Sequence, residues 1–137
     1  MYNLFLKENM NNLNKSFTEN NPIIRVFNAT KYSIKGFKSA FKTEQAFRQD
    51  FLCFLINMVC IYFFVYGKAD KIWIAWLFCC GVFLLMAELV NTAIEYIIDR
   101  ISNEVHPLSG MAKDVGSAIV FLAVVNLLTS WIIFAFF

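Results

Sequence analysis

Charged residues are scarce in this sequence. Asp, Glu, Lys and Arg together make up 16% of its 137 residues, whereas hydrophobic residues make up 59% and phenylalanine alone occurs 16 times. The mean hydropathy is +0.58. A soluble globular domain carries more charge and fewer apolar residues than this, so the composition indicates a membrane protein. The length allows one domain at most.

The sequence also lacks a cysteine framework. Its cysteines all lie inside apolar runs, at Cys53, Cys60, Cys79 and Cys80. That placement fits neither a disulfide network nor a zinc site, and we interpret the four as small apolar packing residues. The N-terminal residues contain no apolar region followed by a small-residue cleavage site, so we expect no cleaved signal peptide. Residues 1–21 are rich in asparagine, and we interpret them as a mobile tail.

Acidic residues are almost missing from the next part of the chain. Between Arg25 and Arg48 there are six basic residues and one acid, Glu44. No nucleic-acid-binding motif accompanies them, so we exclude nucleic acid as a partner. Apolar and basic residues instead alternate at roughly helical spacing, which predicts an amphipathic helix over 22–47 lying on an anionic membrane surface. Pro22 suits the first position of such a helix.

Three long apolar runs follow, and they predict transmembrane helices at about 48–66, 72–98 and 115–137. The fold class is therefore an all-α membrane protein, with residues 22–137 as one membrane domain. Eight basic residues lie between the N-terminus and Arg48, where the first span begins, whereas the loop at 67–71 carries two. By the positive-inside rule, the N-terminus and the loop at 99–114 lie in the cytoplasm and the C-terminus lies outside.

The second span carries an acidic stripe. On a helix, Glu95 and Asp99 each fall within about 20° of Glu88, and Asn91 and Thr92 flank them. Carboxylates inside a membrane helix are costly and usually mark a working site. The following segment adds polar residues that could hold a magnesium-phosphate group together with Glu95 and a distant carboxylate. They are Arg100, Glu104, His106, Lys113, Asp114 and Ser117.

No Gly-x-x-x-x-Gly-Lys-Ser/Thr loop and no kinase glycine-rich loop is present, so phosphoryl chemistry would need a different kind of site. The residues by themselves leave three classes open, namely an enzyme, an ion pathway and an assembly subunit. Three segments, however, resemble the prokaryotic integral-membrane diacylglycerol kinase family. They are KYSIKG at 31–36, EQAFRQD at 44–50, and ELVNTAIE at 88–95 with DR at 99–100 and HPLSGMAKDVGSA at 106–118. The resemblance covers about residues 23–137.

This resemblance implies ATP-dependent phosphorylation of sn-1,2-diacylglycerol to phosphatidate in the bacterial inner membrane. It also implies Mg²⁺ as cofactor and a homotrimer with active sites shared between subunits. Glu88 matches the general base, and Glu44 and Glu95 match the metal ligands, which also contact the nucleotide. Further matches to nucleotide contacts are Arg25, Tyr32, Glu104, His106, Lys113 and Asp114. Matches around the lipid are Arg25, Ala46, Phe47, Arg48, Gln49, Asp50, Glu88, Asn91, Ser117 and Trp131.

The chain departs from the family pattern at four positions. Met111 replaces a common arginine, Thr92 a serine, Asp50 a glutamate and Pro107 an acidic residue. A sister branch of the family phosphorylates undecaprenol, and the segment at 46–50 favours the diacylglycerol branch. The rival class is a non-catalytic trimeric membrane subunit or proton pathway that uses Glu88 and Glu95.

Overall fold

The computed structural model describes residues 21–101 and 106–136. Within these ranges the chain is helical apart from short connections, and no strand occurs in them. The elements are α1 (Pro22–Thr43), α2 (Gln45–Cys60), a π-helical segment (Ile61–Val65) that continues α2, α3 (Lys71–Ile101) and α4 (Pro107–Phe136). Three helical stretches are long and apolar enough to cross a membrane, at Gln45–Val65, Lys71–Ile101 and Pro107–Phe136. The predicted fold class is confirmed, whereas the homotrimer stays a prediction. The tail predicted at 1–21 lies, except for Asn21, outside the described residues.

The chain forms two compact units, one ending at Ser39 and one spanning Ala40–Phe137. In the first unit, α1 begins with a side-chain cap. Asn21 Oδ1 accepts a hydrogen bond of 3.0 Å from the backbone N–H of Ile23. Pro22 occupies the first helical position, where its missing N–H costs nothing. The predicted surface helix therefore has a defined start.

In the second unit, α3 lies between α2 and α4 and packs against both. The main α3–α4 cluster consists of Cys80, Leu84, Ala87, Ala123 and Leu127. Glycines allow the helices to approach closely, as is common in membranes. A Cβ on Gly81 would lie 2.7 Å from Asn57 Nδ2 of α2, and a Cβ on Gly116 would collide with Asn91 Oδ1 of α3.

One amide joins all three membrane-length helices. Asn57 Nδ2 of α2 donates to the Leu77 carbonyl of α3 at 3.0 Å. Asn57 Oδ1 accepts from Trp131 Nε1 of α4 at 2.8 Å. Asn57 is 4% exposed, so both bonds are shielded from water. A second apolar cluster, formed by Ile61, Val65 and Leu77, lies next to this amide.

The helix ends differ from the predicted bounds in ways that position the polar residues. The surface helix ends at Thr43, because Glu44 has extended backbone with φ −100° and ψ 120° and starts α2. The third membrane helix begins at Pro107, eight residues before the predicted 115. Its first turns are polar, so the apolar run alone places its start too late. His106 caps this helix, since its Nδ1 accepts from the Leu108 backbone N–H at 3.2 Å.

Candidate active site

The acidic stripe of α3 passes from a buried to an exposed environment. Glu88 is 3% exposed, and Asn91 and Thr92 beside it are also buried. Glu95 is half-buried and Asp99 is exposed. Glu95 follows Glu88 by seven positions, which is about 10 Å along a helix axis. The three carboxylates therefore lie at different depths.

Other elements bring two further carboxylates towards Glu88. Glu44 lies at the junction of α1 and α2, and Asp50 lies in the second turn of α2. Asp50, Glu95 and Glu44 all interact electrostatically with Glu88. Like charges gathered in a water-poor environment repel one another strongly. This end of the membrane unit is therefore a region that favours cations.

Several polar atoms here have no hydrogen-bond partner among the described residues. They are Asp50 Oδ2, Asn91 Oδ1 and Thr92 Oγ1, each of them buried. An unsatisfied buried polar atom costs about 1–3 kcal/mol and calls for an explanation. Asn91 and Thr92 follow Glu88 by three and four residues on α3, and Asp50 of α2 is in electrostatic range of Glu88. Asn91 Oδ1 faces Gly116 of α4.

The remaining site residues are held by local bonds. Asn91 Nδ2 donates to Glu95 Oε1 at 3.2 Å. Lys113 Nζ of α4 donates to Asp99 Oδ1 of α3 at 2.6 Å. The Ser117 hydroxyl donates to the Lys113 carbonyl. The structure thus brings Lys113 to the exposed end of the acidic stripe.

Other residues predicted from the resemblance have different surroundings. Arg48 Nη1 donates to the carbonyls of Phe41 and Lys42, which caps the end of α1. Phe47 is buried, whereas Ala46, Gln49 and Asp114 are exposed.

Trp131 lies at the other end of the unit, bonded to Asn57. Arg25 and Tyr32 lie on α1 in the first unit, and Glu104 lies outside the described residues. The roles predicted for all these residues stay predictions.

The donor set fits a divalent cation that shares its ligands with a phosphate. In the described part of the chain, no three His, Cys, Asp or Glu side chains converge to hold a metal by themselves. Mg²⁺ does not need such a cage, because proteins usually bind it through one or two carboxylates plus phosphate oxygens and water. Glu44 and Glu95 supply carboxylates of that kind.

Sequence reasoning missed one residue at this site. The Tyr96 hydroxyl of α3 forms a hydrogen bond with the Thr43 hydroxyl. Thr43 in turn donates to Glu44 Oε1 at 3.0 Å. Tyr96 is 41% exposed and resembles an interfacial aromatic, so no periodicity distinguishes it. Only its position directly after Glu95 hinted at a role.

These features define an integral-membrane protein with an acidic site at one end of three packed helices. Comparison with known proteins agrees. The sequence model of the family described as prokaryotic diacylglycerol kinase matches residues 31–135. The diacylglycerol kinase of Haemophilus influenzae is 49% identical over 102 residues, which cover 74% of this chain and 83% of that protein.

Two other relatives are similar over comparable lengths. The diacylglycerol kinase of Pseudomonas aeruginosa is 38% identical over 107 residues, covering 78% of this chain and 85% of the relative. That of Escherichia coli K12 is 37% identical over 109 residues, covering 80% and 87%. The chain belongs to the prokaryotic diacylglycerol kinase family. The family resemblance and the enzyme class expected from it are confirmed.

Proposed function

We propose that this protein transfers the γ-phosphoryl group of ATP to the primary hydroxyl of sn-1,2-diacylglycerol. The observation that carries the proposal is the position of Glu88, a buried carboxylate in a membrane-length helix with three other carboxylates in electrostatic range. A structural carboxylate would be expected to pair with a cation or a hydrogen-bond donor. A carboxylate among other carboxylates is better suited to accept a proton from a substrate hydroxyl.

Glu88 is the general base in this proposal. It accepts the proton of the lipid hydroxyl as the hydroxyl oxygen bonds to the γ-phosphorus. The bond between the γ-phosphorus and the bridging oxygen breaks, ADP leaves with that electron pair, and phosphatidate forms. Phosphoryl transfer depends mainly on positioning and charge neutralisation. The rigid α3 helix supplies the positioning, since Glu88 and Glu95 belong to one element.

Glu44 and Glu95 hold the metal that accompanies ATP. Bound Mg²⁺ neutralises phosphate charge and orients the γ-phosphoryl group. Asn91 orients Glu95 through its 3.2 Å bond, and Lys113 provides a cation at the exposed end of the stripe. We assign further nucleotide contacts to Arg25, Tyr32, Glu104, His106 and Asp114 on the family resemblance.

The lipid reaches this site from within the bilayer. Diacylglycerol lies in the membrane with its hydroxyl at the interface, whereas ATP stays in water. The change from buried Glu88 to exposed Asp99 along α3 supports a site that spans this boundary. We place it at the cytoplasmic face of the bacterial inner membrane, because most basic residues precede the first span. The C-terminus is then periplasmic.

The unpartnered atoms of Asp50, Asn91 and Thr92 support a polar glycerol group beside Glu88. Other lipid contacts are assigned on the family resemblance alone. They are Arg25, Ala46, Phe47, Arg48, Gln49, Ser117 and Trp131.

We further propose a homotrimer with active sites shared between subunits. One face of α3 supports self-association, because its exposed residues follow alternating steps of four and three, the spacing of a coiled-coil seam. They are Ile72, Trp76, Cys79, Phe83, Met86, Val90, Ala93 and Ile97. Oxidation of native Cys79 should then cross-link two copies into an SDS-resistant dimer. Its absence, with Cys79 still reactive to a small thiol reagent, would contradict a seam along α3.

The activity is tested with purified protein in mixed micelles containing Mg-ATP and dioleoylglycerol. Phosphatidate should form, and Glu88→Gln should abolish turnover while a fluorescent ATP analogue still binds. The matched control is Asp70→Asn, which likewise replaces a carboxylate by an amide, in the exposed loop at the other end of α3. Folded wild-type protein that phosphorylates no lipid alcohol would refute a kinase. An active Glu88→Gln variant would remove Glu88 from the role of base.

The same assay distinguishes the two lipid substrates. We expect turnover of dioleoylglycerol to exceed that of undecaprenol at equal mole fraction in the micelle. The opposite order would assign the chain to the polyprenol kinase branch. The rival class, a non-catalytic subunit or proton pathway, predicts no ATP consumption with either lipid.

A further inference from the structure

The junction between α1 and α2 contains a side chain whose direction is unusual. Glu44 occupies the cap position of α2, where an acidic side chain normally accepts a bond from the first backbone N–H groups. Its side chain makes no such bond. Glu44 Oε1 instead accepts from the Thr43 hydroxyl at 3.0 Å. The carboxylate is therefore bonded to the last residue of α1 and does not cap α2.

The same Thr43 hydroxyl is bonded to the hydroxyl of Tyr96 on α3. A carboxylate can only accept, and a threonine hydroxyl has a single proton to donate. With the Thr43 proton directed to Glu44, the Tyr96 hydroxyl donates to Thr43. The result is a chain of bonds in one direction, from Tyr96 through Thr43 to Glu44.

This chain of bonds links Glu44 to the residue next to Glu95, and Glu44 and Glu95 are the two carboxylates assigned to the metal. Tyr96 directly follows Glu95, while Glu44 belongs to a different element. Mg²⁺ requires near-ideal octahedral geometry, so its ligands must keep a fixed separation. The Glu44 N–H donates to the Ala40 carbonyl of α1 at 2.9 Å, but the Glu44 backbone is extended, so α1 and α2 are not one continuous helix that would fix the carboxylate relative to α3. A side-chain link to α3 supplies that restraint.

We propose that Tyr96 is a positioning residue, which acts through Thr43 to hold the Glu44 carboxylate at a set distance from Glu95 for a divalent cation. The inference rests on the proposed function, in which these two carboxylates bind the metal of Mg-ATP. Tyr96 touches neither metal nor substrate. Its loss should affect cation affinity and leave the chemical step nearly unchanged, because Glu88 itself stays in place on α3.

The test compares Tyr96→Phe and Thr43→Val with Thr43→Ser, which keeps the hydroxyl, and with Tyr62→Phe, a matched control near the far end of the first span. Mn²⁺ replaces Mg²⁺ as the probe, and free Mn²⁺ is measured by electron paramagnetic resonance with a non-hydrolysable ATP analogue present. Removing a bond that orients a metal ligand typically weakens metal affinity about 10–100-fold. We expect a weakening near the lower end for Tyr96→Phe and Thr43→Val, and none for the other two variants.

Phosphatidate formation is then measured against Mg²⁺ concentration. Tyr96→Phe should need about tenfold more Mg²⁺ for half-maximal rate and reach a maximal rate within about twofold of the wild type. If both hydroxyl-deleting variants bind Mn²⁺ as tightly as Tyr62→Phe, the positioning role is refuted, whatever the kinase assay shows. If the wild type makes no phosphatidate, the proposed function fails instead, and the Mn²⁺ titration still decides on Tyr96.

Discussion

Replacement of Asn57 by leucine should weaken the packing of the three membrane-length helices. Leucine has the same number and branching of side-chain heavy atoms as asparagine, but it neither donates nor accepts a hydrogen bond. Two interhelical bonds are lost, to the Leu77 carbonyl and from Trp131 Nε1. Such bonds contribute about 0.6 kcal/mol on average in a membrane, and up to about 1.7 kcal/mol. We expect the free energy of unfolding to fall by about 1–3 kcal/mol.

The measurement uses a thiol that is buried in the native protein. Cys80 is 3% exposed and lies in the α3–α4 cluster. In a background where Cys53, Cys60 and Cys79 are replaced by alanine, brief labelling of Cys80 during an SDS titration in mixed micelles reports the unfolded fraction. The asparagine and leucine variants are compared in that same background.

A double-mutant cycle with Trp131→Phe isolates the bond between Asn57 and the indole. Asn57→Leu leaves the Trp131 N–H without its partner, so the single variant carries a cost that the double variant avoids. We therefore expect the double variant to be more stable than the sum of the two single changes predicts. Additivity within about 0.3 kcal/mol would refute the reasoning, because independent sites behave in that way.

Two further predictions concern the site end of the unit. Gly116→Ala should lower phosphatidate formation at least tenfold. The added Cβ would displace Asn91 Oδ1, and with it the amide that orients Glu95. An unchanged rate in the micelle assay would contradict the close approach of Gly116 to Asn91. Asp99→Asn should change the free energy of unfolding by less than about 1 kcal/mol, since exposed ion pairs contribute little. The same change should nevertheless raise the Michaelis constant for ATP, because Lys113 Nζ loses its ion pair with Asp99 Oδ1, which lies 2.6 Å from it. An unaltered Michaelis constant would mean that this ion pair does not position Lys113.

Apolar runs and helical periodicity were sufficient to predict the number and approximate location of the membrane-length helices. The physical reason is that a membrane span must be both apolar and about 20 residues long, and few other structures satisfy this. The start of α4 at Pro107 was harder to predict. Its first turns carry polar residues such as Lys113, which end an apolar run without ending a helix.

The site residues that lie on a single helix were predictable from the sequence, whereas the contacts between residues of different helices were not. Glu88, Asn91 and Glu95 share a stripe because a helix repeats every 3.6 residues. That Asp50 comes within electrostatic range of Glu88 depends on how α2 packs against α3, which no local pattern encodes. The bond between Thr43 and Tyr96 joins residues 53 positions apart, so it too depends on how the helices pack and not on a local pattern.

The π-helical segment at Ile61–Val65 has a consequence for the register of the first membrane helix. A π turn contains one residue more than an α turn, so the helix accommodates an extra residue without becoming one residue longer along its axis. Deleting one residue there would restore a regular α-helix and leave the residues on both sides facing the same way, because the π turn absorbs the extra residue. Deleting one residue between Phe51 and Cys60 would instead rotate Asp50 by about 100° relative to the contacts of Val65 with α3, and Asp50 would turn away from Glu88. The π-helical segment is therefore a place where the first membrane helix can change in length without redirecting a carboxylate three turns away.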